Sequence, residues 1–192
     1  PASGAIRLHR ELPVPRAAEN SLTGSFGTTV DLLTALVSQL AWLGRTGTVT
    51  VGVAASLRST PPLRTICGPL VQVLPLTITI ADPGDLQALR DEVAETYRRL
   101  LLDSGPGRNS TASQRGFEVL FNHIPHGFGD FGGLPMEVCF DHSGTMETSH
   151  ALHLNVLDYN GTGTWQLLAD FNLSRFPEAW QRDSFTGHFI EI

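Results

Sequence analysis

The amino-acid sequence predicts a two-layer α/β (α+β) fold, a mixed sheet of about five to six strands with helices packed mainly on one face. Three observations predict it. β-branched and apolar runs recur along the chain, as in Thr48 to Ala55, where Val49, Val51 and Val53 follow Gly47. Two other stretches instead space their apolar residues by three and four, the helical period. The resulting order, β-α-β-β-α-β-(β)-β-β-α, holds no internal repeat and no second apolar centre. Residues 1–192 therefore read as a single domain.

Ala5 to Leu12 alternates Ile6 and Leu8 with Arg7 and His9, a strand pattern ended by Pro13 and Pro15. Thr28 or Thr29 is placed to cap a helix reaching about Leu43. Its apolar positions are Val30, Leu33, Val37 and Leu40, and Gly44 and Gly47 bracket its exit. Thr48 to Ala55 reads as a buried strand. Pro61-Pro62 marks Arg58 to Gly68 as a loop, and Leu70 to Ile80 as a second apolar strand region, broken at Pro75. Asp82-Pro83-Gly84-Asp85 has the signature of a helix start, with Asp82 as the carboxylate cap, Pro83 at the first helical position and Asp85 in the first turn. Leu86, Leu89, Val93, Tyr97 and Leu100 then form one stripe. Asp103 to Gln114 is a polar loop. Phe117 to Asn122 alternates as a strand, Ile124 to Gly133 is glycine-rich and irregular, and Met136 to Phe140 is a short strand candidate. Ala151 to Tyr159 and Thr164 to Phe171 read as a hairpin around Asn160-Gly161. Ser174 is placed to cap a last helix carrying Phe176, Trp180, Phe185 and Phe189.

Composition excludes several functions. Of the 192 residues 41% are hydrophobic and 17% charged, which supports a core and argues against disorder. The net charge of −6 carries no block of like charge, which excludes a nucleic-acid surface or an anionic-membrane partner. No uninterrupted apolar run approaches about 20 residues, so no membrane span is expected. Cys67 and Cys139 are isolated, and no leader pattern precedes them, so a reducing, cytoplasmic setting is expected. All 13 basic residues are Arg, which removes a P-loop Lys, a Schiff-base Lys and a Ser-Lys dyad, and fits a GC-rich bacterial coding bias. The chain begins Pro1-Ala2-Ser3-Gly4 without an initiator Met and is expected to be part of a longer or processed product.

Candidate chemistry is sparse. No Ser has Gly at both −2 and +2, so the exposed nucleophile of a serine hydrolase is missing. Cys67 reads as a small core residue at a strand start. His150 and His153, three apart on a strand, point to opposite faces, a poor arrangement for one metal ion. Asn122 to Gly132 contains His126-x3-Asp130, in which a His could act as base with an Asp orienting it. The segment reads first as a glycine-rich surface loop with incidental polar residues. The three Asn-x-Ser/Thr sequences, at Asn109, Asn160 and Asn172, carry no meaning in a cytoplasmic chain.

Taken in order, several stretches resemble the C-terminal lobe of a nonribosomal peptide synthetase condensation domain. Such domains have two lobes similar to chloramphenicol acetyltransferase. Val51-Gly52-Val53-Ala54-Ala55-Ser56-Leu57-Arg58 is similar to the family's VG-x-P-x-x-x-R segment. Ile66 to Leu76 resembles (I/V)G-x-F-V-N-T-L-P-L, with Leu70 for Phe and Gln72 for Asn. Phe117 to Asn122 resembles F-x-V-x-F-N. The Asp85 to Leu102 helix, Asp158-Tyr159 and the closing Phe-rich helix also fit. Two departures stand out. Ala112-Ser113-Gln114-Arg115 occupies the place of Ser-Arg-Asn-Pro, and the catalytic H-H-x-x-x-D-G belongs to the other lobe. His126-x3-Asp130 is not that motif, since it follows the last family motif and Phe131 stands where Gly belongs.

The resemblance implies half of an amide-bond-forming acyltransferase, inactive alone, that supplies one wall of a tunnel for carrier-protein-bound acyl donor and amine acceptor. A non-catalytic scaffold that binds carrier proteins or synthetase neighbours is the alternative. By resemblance, Gly68, Pro69, Val71, Gln72 and Asn122 lie at the tunnel, and Arg58, Phe128 and Phe131, with Leu134, on segments that cross toward the other lobe. No residue is assigned a catalytic role and none a metal. No cofactor binds directly; phosphopantetheine arrives on the donor and acceptor carrier proteins. The remaining implied partner is the N-terminal lobe, on the same or a separate chain.

Overall fold

The computed structural model describes residues 2–13, 24–56, 71–82, 84–104, 116–125, 130–135, 139–157 and 164–191. It has the strands β1 (Ala2–Pro13), β2 (Thr48–Ser56), β3 (Val71–Thr79), β4 (Val119–Ile124), β5 (Asp130–Phe131), β6 (Leu134–Pro135), β7 (Thr145–Glu147), β8 (Leu152–Leu157) and β9 (Thr164–Asn172). The helices are α1 (Gly24–Gly44), α2 (Leu86–Asp103) and α3 (Ala179–Glu191). The hydrogen-bonded strand order is β3-β2-β4-β8-β9-β1-β7. The sheet is mixed, as β2 runs antiparallel to β3 and parallel to β4. It has seven strands rather than the five to six expected, because three residues after a polar loop suffice to add β7 to the edge of β1. So short a segment shows no readable alternation. The chain forms two compact units, residues 29–121 and residues 1–28 with 122–192.

In the first unit, alternation sets the layers. β2 places Val49, Val51, Val53 and Ala55 on one face, opposite Ile78, Leu76, Leu74 and Gln72 of β3. Phe121 of β4 joins that row at Val53 and is wholly buried. The other face is more open, and there the Thr50 and Thr77 hydroxyls hydrogen-bond at 3.0 Å. Pro75 does not break β3. β3 ends the strand order, and an edge strand has no outward ladder bond for a missing N–H to lose.

α1 starts at Gly24, a full turn before the expected cap at Thr28 or Thr29. Thr29 lies inside the helix and is buried, and the Thr34 hydroxyl donates back to the Val30 carbonyl. Burial of Val30, Leu33, Leu36 and Val37 outweighs the modest helix preference of these threonines. The exit is a Schellman turn, with Thr46 N–H donating to Ala41 and Arg45 N–H to Trp42. Arg45, not a glycine, takes its left-handed position, at φ 47°. By length and composition alone α1 could cross a membrane, although no uninterrupted apolar run marks it in the sequence. Its buried face makes it a core helix of this unit.

α2 is capped by Asp85 rather than Asp82. The Asp85 carboxylate accepts from Ala88 N–H at 2.9 Å. Asp82 instead closes the preceding turn, accepting from Gly84 N–H at 2.8 Å. Leu89, Val93 and Tyr97 are the buried stripe, and α2 packs on β3. The Arg90–Asp31 ion pair, 2.6 Å, ties α2 to α1. Replacing Asp85 with Ala is expected to cost about 0.5–2 kcal/mol. Asp82→Ala should cost less in the same urea unfolding series, and the reverse ranking would restore Asp82 as the cap.

In the second unit β9 pairs with β1 on one side and β8 on the other, antiparallel to both. α3 covers the face bearing Phe171, whose ring meets Phe185 at 5.8 Å and Phe176 at 5.0 Å. α3 begins at Ala179. Ser174 does not cap it, because the Asn172 carboxamide already holds Ser174 in a turn, accepting from both its N–H and its hydroxyl. The segment expected to be irregular up to Gly133 ends in a hairpin, β5–β6. Gly132 and Gly133 supply the two positive φ angles, 62° and 85°, that a type I′ two-residue turn requires. Cys139 and Phe140 lie outside any strand, while Met136 and the Asn160-Gly161 turn fall outside the described residues.

Candidate functional site

Strand alternation gives the β8–β9–β1 sheet a second face, opposite the one that α3 covers. Registered residues share a face, so three rows can be read directly. Asn155, Leu168 and His9 form one row, Leu157, Gln166 and Glu11 another, and His153, Asp170 and Arg7 a third. Polar groups therefore stand in mid-strand where the opposite face carries Leu154, Ala169 and Leu8.

The third row is the most highly charged. Arg7 grips Asp170 with both arms of its guanidinium, at 2.6 and 2.7 Å. Asp170 is 4% exposed, so this is a buried pair, with the bidentate geometry that stabilises one. Arg7 also donates to the Phe140 carbonyl and lies 5.7 Å from the Phe140 ring centroid, a cation–π contact. His142 reaches to 3.7 Å from Asp170. Beside them His153 Nε2 and His150 Nδ1 share a hydrogen bond of 2.9 Å. Burial pushes the His153 imidazole below its ordinary range. His150 adds to that shift, and Asp170 and Glu147 oppose it.

The two histidines correct the sequence reading, which put them on opposite strand faces. Only His153 lies on β8. His150 precedes the strand in a turn closed by its own N–H to Glu147 and by Asn172 donating to its carbonyl, so period-two alternation does not govern it. Among the described residues no group of three or more His, Cys, Asp or Glu is arranged to hold a metal ion.

Of the expected tunnel residues, Asn122 sits on β4, half-buried, and its amide donates to Asn155 Oδ1 at 3.1 Å. Asn155, itself buried, extends the polar face. Next along β4, His123 faces the other way and its ring meets Trp165 at 5.9 Å. In the first unit Val71 and Gln72 part company. Gln72 pairs with Ala55 on the packed face of β2–β3, and Val71 with Ser56 on the open face, 65% exposed. Phe131 lies in β5 opposite Leu134, which is exposed, as is Asp130. Arg58, Cys67, Gly68, Pro69, His126 and Phe128 fall outside the described residues.

Sequence reading missed Arg7, His142, Asn155 and Asp170. The available signal was parity. Arg7, His9 and Glu11 share one parity on β1, His153 and Asn155 on β8, and Gln166 and Asp170 on β9. Only the register brings them onto one face.

No family model and no curated protein matches the chain. Solved structures do. One, from work on condensation domain-mediated chain release from the enacyloxin polyketide synthase, superposes with a TM-score of 0.68 at 16% identity, over 100% of this chain and 40% of that one. The starter condensation domain of rhizomide synthetase gives 0.69 at 16%, over 99% and 48%. The epimerization domain from the third module of tyrocidine synthetase B gives 0.66 at 19%, over 98% and 47%. The chain thus spans less than half the length of these proteins. Its fold is that of a condensation-domain lobe, and the coverage accords with the C-terminal lobe that the sequence motifs resemble.

Proposed function

We propose that this chain is one half of an amide-bond-forming condensation domain in nonribosomal peptide biosynthesis, and that it walls one side of the tunnel through which two phosphopantetheine arms meet. The observation that carries the reading is the coverage, 99% of this chain against 48% of a condensation domain. A second lobe of similar size would complete the cleft and bring the H-H-x-x-x-D-G imidazole. In the reaction the acceptor amine nitrogen attacks the donor thioester carbon. The C–N bond forms, the C–S bond breaks, and the departing thiolate takes up the proton the amine loses. Holding both arms in one cleft supplies much of the acceleration, because a bimolecular encounter becomes a local one. The Asn122–Asn155 pair offers hydrogen-bonding groups suited to the amides of such an arm.

The test joins this chain to a lobe carrying H-H-x-x-x-D-G from the same biosynthetic system and supplies loaded donor and acceptor carrier proteins. Amide product is expected only when both lobes are present, read by mass spectrometry of the acceptor carrier. Amide formation by this chain alone would overturn the proposal. The departure at Ala112 to Arg115 favours a second reading, a scaffold lobe without catalysis. Carrier-protein binding without product, in the joined system, would select it.

A further inference from the structure

We propose that His150 and His153 form an acid-released clasp that seats the turn between β7 and β8 on the sheet of the second unit. Their nitrogens face each other at 2.9 Å, with the rings edge to face and centroids 4.9 Å apart. A hydrogen bond between two imidazoles needs a lone pair on one of them, so at least one ring must be neutral. Once both carry a proton, two N–H donors and two positive charges confront each other across the same gap.

At His153 the neighbouring carboxylates do not outweigh burial and the His150 ring. Asp170 of β9 lies opposite His153 in register, but Arg7 of β1 already binds both of its oxygens. Glu147, the last residue of β7, attracts a proton to His153, while His142 from the preceding stretch opposes one. Burial and His150 are the leading influences, and both favour neutral His153. The sign follows. A folded-state pKa below the ordinary 6.5 means that the folded chain binds this proton less readily than the unfolded one. The clasp's contribution is complete above the ordinary 6.5 and is lost as pH falls from there through the folded-state pKa.

The clasp adds to the main-chain bonds that hold this stretch, among them Ala5 N–H to the Gly144 carbonyl. The His150 N–H donates to Glu147 at 3.0 Å, and Asn172 holds the His150 and Ala151 carbonyls. β7 contributes a three-residue ladder to β1. Release would free β7 and draw His142 from its place 3.7 Å from Asp170, uncovering the Arg7–Asp170 pair.

Hydrogen exchange of the intact protein, read by mass spectrometry at about pH 7.5 and about pH 5 and corrected for chemical exchange, tests this. Amides of residues 142–151 are expected to lose protection at the lower pH while residues 48–56 and 71–79 keep theirs. His153→Gln should abolish the difference, since glutamine donates and accepts without titrating, and His150→Gln should reduce it, since burial still acts on His153. Equal protection at both pH values, or the same loss in His153→Gln, would overturn the proposal. So would an NMR titration in the unaltered protein that places His153 at or above the ordinary histidine range, a readout that does not depend on how the variants fold.

Discussion

Gly52→Ala is expected to destabilise the chain by about 1–3 kcal/mol, the usual cost of forcing an extra methyl into a filled space. Gly52 lies mid-strand on β2, between Pro75 of β3 and Leu120 of β4. A Cβ built there would stand 2.3 Å from Phe117 Cε2 and 2.5 Å from two further ring carbons. The ring occupies the place of the missing side chain. This gives a physical reason for glycine within a β-branched run, where it otherwise weakens a strand. The control is Phe117→Ala. In that background Gly52→Ala should be neutral or stabilise by about 0.4–1 kcal/mol, through the smaller entropy of the unfolded chain. Urea unfolding of the four proteins closes the cycle. An equal loss in both backgrounds would show that the ring is not the obstacle.

Arg7→Met carries the larger expected loss, about 3–5 kcal/mol, because it strands a buried carboxylate. The side chains of Arg7 and Asp170 are 16% and 6% exposed. Water cannot take over the charge that Arg7 leaves, and His142 at 3.7 Å is a weaker partner than a two-pronged guanidinium. Arg10–Asp183 is the internal contrast. It closes to 2.8 Å, but its side chains are 44% and 55% exposed, so Arg10→Met should cost at most about 1 kcal/mol. Arg7→Met combined with Asp170→Leu should recover most of the loss, since removing both charges removes the unpaired one. A loss below about 1 kcal/mol for Arg7→Met alone would place the carboxylate in water rather than in the sheet.

The sequence made regular elements visible wherever one residue pattern ran long enough. Val49, Val51 and Val53 announce β2, and Leu89, Val93 and Tyr97 announce α2, because each pattern repeats through several turns or pleats. Ends were harder to place. Asp82 and Asp85 are both good caps in isolation, and the choice depends on which carboxylate the turn consumes. β7, three residues long, has no pattern of its own and exists because β1 offers it an edge. Asn122 stands at the end of a motif visible in the sequence, whereas Asp170 hides inside Trp165 to Phe171 as the only charged residue of an otherwise strand-like run.

The chain's own order of residues thus determined the number and kind of its long elements, their single alternating core pattern, and a motif series resembling a condensation lobe. All of these arise from interactions between residues a few positions apart. Register was decided only by the tertiary structure. It set Arg7 across from Asp170, a separation of 163 positions, and the turn before β8 brought His150 back onto His153. A one-residue slip between strands would separate Arg7 from Asp170 and His153 while leaving the local patterns unchanged, and so local pattern alone could not specify the site.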